Sequence, residues 1–94
     1  MLIQHEQPGN KGSFYVEENG KRLAEMVYTM PGAALLIIEH TEVADELRGK
    51  NVGYQLVHTA VEYARTNHLK ILPLCPFAKS VFDKKHEEFG DVLK

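Results

Sequence analysis

The stretch ELRGKNVGYQLV, residues 46–57, determines how the chain is read. A charged segment interrupted by Gly49 and Gly53 runs directly into an apolar pattern. Val52, Leu56, Val57, Ala60, Val61 and Ala64 recur at i, i+4, i+5 and i+8, with Gly53 and Tyr63 flanking that face. This spacing predicts an amphipathic helix opening at Val52. His68 falls near its end, where a cation suits the helix dipole.

The loop just before such a helix can do one of two things. A helix N-terminus has unpaired N–H groups and the positive end of a dipole, so it can hold a phosphate. That use needs backbone that approaches closely and torsions that turn several N–H groups the same way. Arg48-Gly49-Lys50-Asn51-Val52-Gly53 supplies small residues and two cations. The same residues also make an ordinary loop with a helix cap, and spacing alone does not separate the two. Neither the Walker pattern nor the Gly-x-Gly-x-x-Gly dinucleotide pattern is present.

Upstream the period is two rather than 3.6. SFYVEENGKRLAEMVYTM, residues 13–30, reads as a hairpin about Asn19–Gly20, since both residues tolerate positive φ. Pro31–Gly32 makes the next turn, and ALLIIEHTEV, residues 34–43, a third strand. Residues 1–12 form a lead-in, with a short edge strand predicted at Leu2–His5. Downstream, KILPL, residues 70–74, is a short buried strand whose Pro73 implies an edge or a strand leaving its neighbour. FAKSVFDKKHEEF, residues 77–89, is a second helix, with Pro76 at its first turn and Ala78, Val81, Phe82 and Phe89 on its buried side. The order is β-β-β-α-β-α. A crossover through the first helix makes the flanking strands parallel and right-handed. The expected class is therefore α/β (α+β): a mixed, mostly antiparallel sheet with helices on it.

Bulk properties narrow the function classes. The chain has 94 residues, 44% apolar and 26% charged, with a formal net charge of −2. That is one domain, residues 1–94, with one modest core. It carries no global basic field for nucleic acid, and no apolar run approaches the roughly 18 residues of a membrane span. The N-terminus lacks the basic-then-apolar order of a signal peptide. Cys75 is the single cysteine, so neither an internal disulfide nor a cysteine-based zinc cluster can form. A lone thiol fits a cytoplasmic protein.

The loop resembles the pyrophosphate loop of the GNAT superfamily of N-acetyltransferases, Arg/Gln-x-x-Gly-x-Gly/Ala between a central strand and a long helix. Arg48 and Gly53 match its two ends, and Asn51 stands where the family has Gly. Asn is the non-glycine residue that best tolerates left-handed torsions. After the next strand the family often carries Asn-x-x-Ala-x-x-x-Tyr. Here that register reads Cys75, Ala78 and Phe82. The family's Tyr is held to protonate the departing CoA thiolate, and Phe82 has no proton to give. The helices that usually follow the family's first strand are missing. The chain is instead similar to a subfamily of very small GNAT-like proteins with a Leu-Cys-Pro-Phe element, here residues 74–77. The resemblance runs over roughly residues 14–89 and implies the minimal GNAT fold.

The resemblance also implies a ligand, acetyl-CoA or CoA, and a reaction, transfer of the acetyl group to an unidentified amine. Backbone N–H groups of Gly49, Asn51, Val52 and Gly53 would hold the pyrophosphate, helped by Arg48 and Lys50. Glu42 and Val43 would pair with the pantetheine arm as an added strand does. Cys75 is either a small buried hydrophobe or a group beside the thioester, where it would accept the acetyl or pack against the thiol. His40 and Glu42 share one face of the third strand. Each is a candidate general base or simply a solvated polar residue. Lys79 either meets a CoA phosphate or is solvated. His5, His58, His68 and His86 lack metal-ligand spacing and read as surface residues. Three functions stay open: an N-acetyltransferase, an acetyl-CoA- or CoA-binding module with little or no transfer, and an interaction domain without a cofactor. Monomer and homodimer are both open.

Overall fold

The computed structural model describes all 94 residues, Met1–Lys94. Five strands form one sheet in the order β1-β2-β3-β4-β5: β1 Gln4–Glu6, β2 Lys11–Glu18, β3 Lys21–Thr29, β4 Leu35–Val43 and β5 Lys70–Pro73. The first four pair antiparallel, and β4 pairs with β5 in parallel. Helix α1, Val52–Asn67, makes the crossover, followed by α2, Pro76–Lys84, and a single turn, α3, His86–Phe89. The mixed sheet and crossover match the sequence reading. The edge strand begins two residues later than expected.

The core is built from the predicted faces. Val52, Gly53, Leu56, Val57, Ala60, Val61 and Ala64 are the buried residues of α1. They pack on Phe14, Val16, Met26, Tyr28, Leu36 and Ile38, which alternate along the strands and point to one face. Ala78, Val81 and Phe82 bring α2 onto the same side. Asn19 (φ 53°) and Gly20 (φ 78°) make the β2–β3 turn, the left-handed pair that its sequence demands.

Three features depart from the sequence reading. The last helix is broken, because Lys85 leaves helical torsions (φ −111°, ψ 32°) and α3 restarts at His86. Beyond the break, Arg65 on α1 grips the Glu88 carbonyl at 2.7 Å and the Asp91 carboxylate at 2.8 and 2.9 Å. These bonds draw the C-terminal segment toward the end of α1. Second, β4 carries a bulge. Tyr28 pairs with Ile38 and Val27 with His40, so Glu39 has no partner. Third, His5 is exposed, as expected, but it also contacts the core. Its outer edge is open, but its ring stacks on Phe14 at 4.3 Å, and Nε2 lies 2.5 Å from the hydroxyl of fully buried Tyr28. The aromatic cluster, not the local sequence, draws it in.

Candidate functional site

The site forms where β4 outruns β5. The parallel ladder ends at Ile38↔Pro73, and the Leu74 and Cys75 N–H groups both donate to the Ile38 carbonyl, at 3.0 and 3.1 Å. Beyond that point β5 turns away into α2, and the end of β4, still paired with β3, has a free edge on the β5 side. Pro73 is thus both on an edge strand and at the point where that strand departs. The Ala44 N–H donates to the Leu23 carbonyl at 2.7 Å. By ladder alternation Glu42 and His40 aim their backbone groups at β3, and Thr41 and Val43 aim theirs at the free edge. The bulge at Glu39 sets this phase. Without it His40 and Glu42 would occupy the core face and the free edge.

In the loop that follows, no side chain caps the helix. Asn51 is the N-cap of α1 and is left-handed (φ 61°, ψ 29°), with no capping bond from its side chain. Gly49 is left-handed too (φ +80°), and a Cβ there would meet open space. The first helical bond runs from the Gln55 N–H to the Asn51 carbonyl at 3.1 Å. The N–H groups of Val52, Gly53 and Tyr54 therefore have no acceptor within the helix. Arg48 is paired through Nε with Asp45 at 2.8 Å, in the open.

Loop and helices enclose a cleft of about 330 Å³. Arg48, Gly49, Asn51, Val52 and Gly53 form one wall, and Phe77, Ser80, Val81, Lys84 and Lys85 the other, with Val43 at the strand end. Three cations and no carboxylate line it, in a chain whose net charge is −2. Phe77, 41% exposed, lies with its ring over Gly53, where any Cβ would fall inside the ring. Gly53 is thus small because an aromatic ring needs its place.

The structure gathers some of the predicted residues and separates others. Cys75 is the N-cap of α2, 7% exposed, with its Sγ 3.5 Å from the Thr41 hydroxyl. Burial pushes its thiol pKa up, but hydrogen bonding from the Ala78 N–H, the Thr41 hydroxyl and the Phe77 and Thr41 N–H groups outweighs that and leaves it lowered. His40 and Glu42 bind each other, Nε2 to Oε1 at 2.6 Å, and both are exposed. Their side chains leave β4 on the face opposite Thr41, so they do not meet Cys75. Lys50 stays outside the cleft, its carbonyl accepting a bond from Gln55 Nε2 at 3.2 Å. Lys79 also lies outside and faces Leu72, Phe82 and Asp83 instead. Phe77, Ser80/Val81 and Lys84 were missed. Their i, i+3/i+4, i+7 spacing is the signal that marks them as one helix face, with Lys79 off it.

Comparison with known proteins agrees with this geometry. The model of a family described as GCN5-related N-acetyl-transferase matches residues 13–92. No curated protein matches the chain. Among solved structures it is similar to a GCN5-like protein from Staphylococcus aureus, at 38% identity and a TM-score of 0.71 over 97% of this chain and 87% of that one. It shares its fold with a ribosomal-protein-alanine N-acetyltransferase from Brucella melitensis, at 14% identity and a TM-score of 0.66 over 83% of this chain and 64% of that one. It shares it also with the aminoglycoside N-acetyltransferase AAC(6')-Iy, solved with CoA, at 13% identity and a TM-score of 0.58 over 87% of this chain and 68% of that one. The mixed sheet, the crossover helix and the matched residues define a GCN5-related acetyltransferase fold. The chain belongs to the GCN5-related N-acetyltransferase family.

Proposed function

We propose that the chain binds acetyl-CoA and transfers its acetyl group to an amine. One observation carries this reading: Gly49 and Asn51 are both left-handed at the mouth of α1, and no side chain caps the helix. The backbone of Val52, Gly53 and Tyr54 then presents N–H groups to the cationic cleft, a fit for a diphosphate. The CoA bound by the fold relative AAC(6')-Iy supports the same ligand class.

The ligand, when bound, supplies an acetyl group activated as a thioester. The chain's own residues do the rest. Val43 directs its N–H to the free edge of β4, where it can polarise a carbonyl oxygen. The His40–Glu42 pair, open to solvent on the uncovered sheet face, takes the proton from the acceptor amine. Cys75 stands at the split between β4 and β5, and Thr41 orients its sulfur. Phe82 is buried at the family's Tyr position and donates no proton. The free Cys75 thiol suits a reducing cytoplasm.

Isothermal titration with acetyl-CoA tests the reading. Wild type should bind at micromolar strength, and Gly53→Glu, which fills the loop with a carboxylate, should not bind. Wild type that shows no heat of binding refutes the proposal. Turnover with a panel of amines then separates a transferase from a binding module. Mass spectrometry of the acetyl-CoA-treated protein asks whether Cys75 gains an acetyl group, with Cys75→Ala as the control.

A further inference from the structure

The cleft has a direction. Helix α2 forms one wall along its whole length, with Cys75 before its first residue and Lys84 and Lys85 at its far end. Nine residues at 1.5 Å each separate the sulfur end from the lysine end by about 13 Å. Gly53, at the start of α1, meets Phe77 on the first turn of α2, and the same cleft is lined by the two lysines. A ligand with its thiol at the β4–β5 split and its diphosphate at the loop continues toward the two lysines.

An ordinary reading of Lys84 and Lys85 is that they offset the negative end of the α2 dipole. Three observations go further. Both side chains line the cleft, whose lining has no carboxylate. Neither ammonium makes an ion pair, although Asp83, Glu87 and Glu88 lie close by. Lys85 sits instead over the Tyr54 ring, Nζ 5.4 Å from its centre, while the Tyr54 hydroxyl donates to Glu88 Oε1 at 2.6 Å. Tyr54 thereby occupies the Glu88 carboxylate and leaves Lys85 on an aromatic face. Arg48, the third cation of the cleft, is already paired with Asp45.

We infer that Lys84 and Lys85 bind the 3′-phosphate of the nucleotide end of CoA and make the protein selective for CoA over 3′-dephospho-CoA. This rests on the acetyl-CoA reading above. The diphosphate is held by neutral amides, which both ligands satisfy equally. A second phosphate group adds a dianion that only the lysines can neutralise.

The experiment is titration of the folded protein with CoA and with 3′-dephospho-CoA. Wild type should bind CoA about ten-fold or more tightly, the scale of one or two charge-assisted hydrogen bonds. In Lys84→Ser/Lys85→Ser the affinity for CoA should fall about ten-fold more than that for 3′-dephospho-CoA, so that the two converge. Lys84→Arg/Lys85→Arg should keep the preference. Equal wild-type affinities, or a double variant that weakens both ligands alike, overturn this inference and leave the CoA reading intact. Failure of wild type to bind either ligand overturns both.

Discussion

Replacing Asn51 tests how the loop is built. Asn51 is left-handed and its side chain makes no capping bond, so its amide contributes conformation only. For most L-residues this conformation costs roughly 1–2 kcal/mol, a cost that Gly escapes and that Asn tolerates. Asn51→Gly should therefore lie within about 0.5 kcal/mol of wild type, since relief in the folded loop is offset by roughly 0.4–1 kcal/mol of unfolded-chain entropy. Asn51→Ala should lose about 1 kcal/mol. Asn51→Val, branched at Cβ, should lose more. In a domain of this size each kcal/mol lowers Tm by about 4–8 °C. Urea unfolding supplies the free energies, and an unchanged slope confirms that only the folded state moved. Acetyl-CoA titration of the same variants should follow the same order, because the torsion that relieves strain also aims the amides. A harmless Asn51→Val, or an Asn51→Gly that loses more than 1 kcal/mol, would refute the assignment of Asn51 to a left-handed, uncapped position.

Gly12→Ala should be severe for its chemistry, about 1–3 kcal/mol. A Cβ there falls 2.5 Å from the buried Tyr28 ring and 2.7 Å from the Glu6 carbonyl, so the β1 backbone must move, and thermal unfolding will report it. His5 makes stability depend on pH. Burial of its inner edge lowers its folded pKa below 6.5, so the unfolded chain binds more protons. The contribution is fully present above about pH 6.5 and is lost as pH falls through the lowered folded value. Unfolding free energies of wild type should fall more between pH 7.5 and pH 5 than those of His5→Phe (pH values spanning the ordinary range of about 6.5). Cys75, 7% exposed, should alkylate slowly with iodoacetamide despite its lowered pKa, and more slowly still with acetyl-CoA present. Equal rates with and without ligand would put the thioester elsewhere.

Much of the fold is legible in the sequence because repeated interactions specify it. The α1 stripe fails only if many residues are misread together, and all of its predicted members are buried. The hairpin at Asn19–Gly20 is fixed by torsions that few residues accept. The bulge at Glu39 had no such signal. It inserts one residue against β3, and nothing local distinguishes Glu39 from the polar residues around it. Yet it decides that His40 and Glu42 face solvent while Thr41 reaches Cys75. Lys79 lies outside the cleft and Lys84 lines it, because a helix face is shared at intervals of three, four and seven and Lys84 is seven residues from Phe77. The segment beyond the break at Lys85 is bonded to Arg65, on another helix and distant in sequence, so no local window contains those contacts.

ELRGKNVGYQLV by itself specified a helix start with residues that can turn left-handed, because glycine and asparagine carry that property in their own sterics. Whether the start was capped, what lay opposite it and which charges surrounded it were beyond any local pattern. Packing of α2 against α1 decided those: it set Phe77 on Gly53, brought Lys84 and Lys85 to the loop, and left cations as the only charged residues lining the cleft. Backbone torsion is a property of one residue and its neighbours. A cleft is a property of surfaces that meet only after the sheet and both helices have found their register.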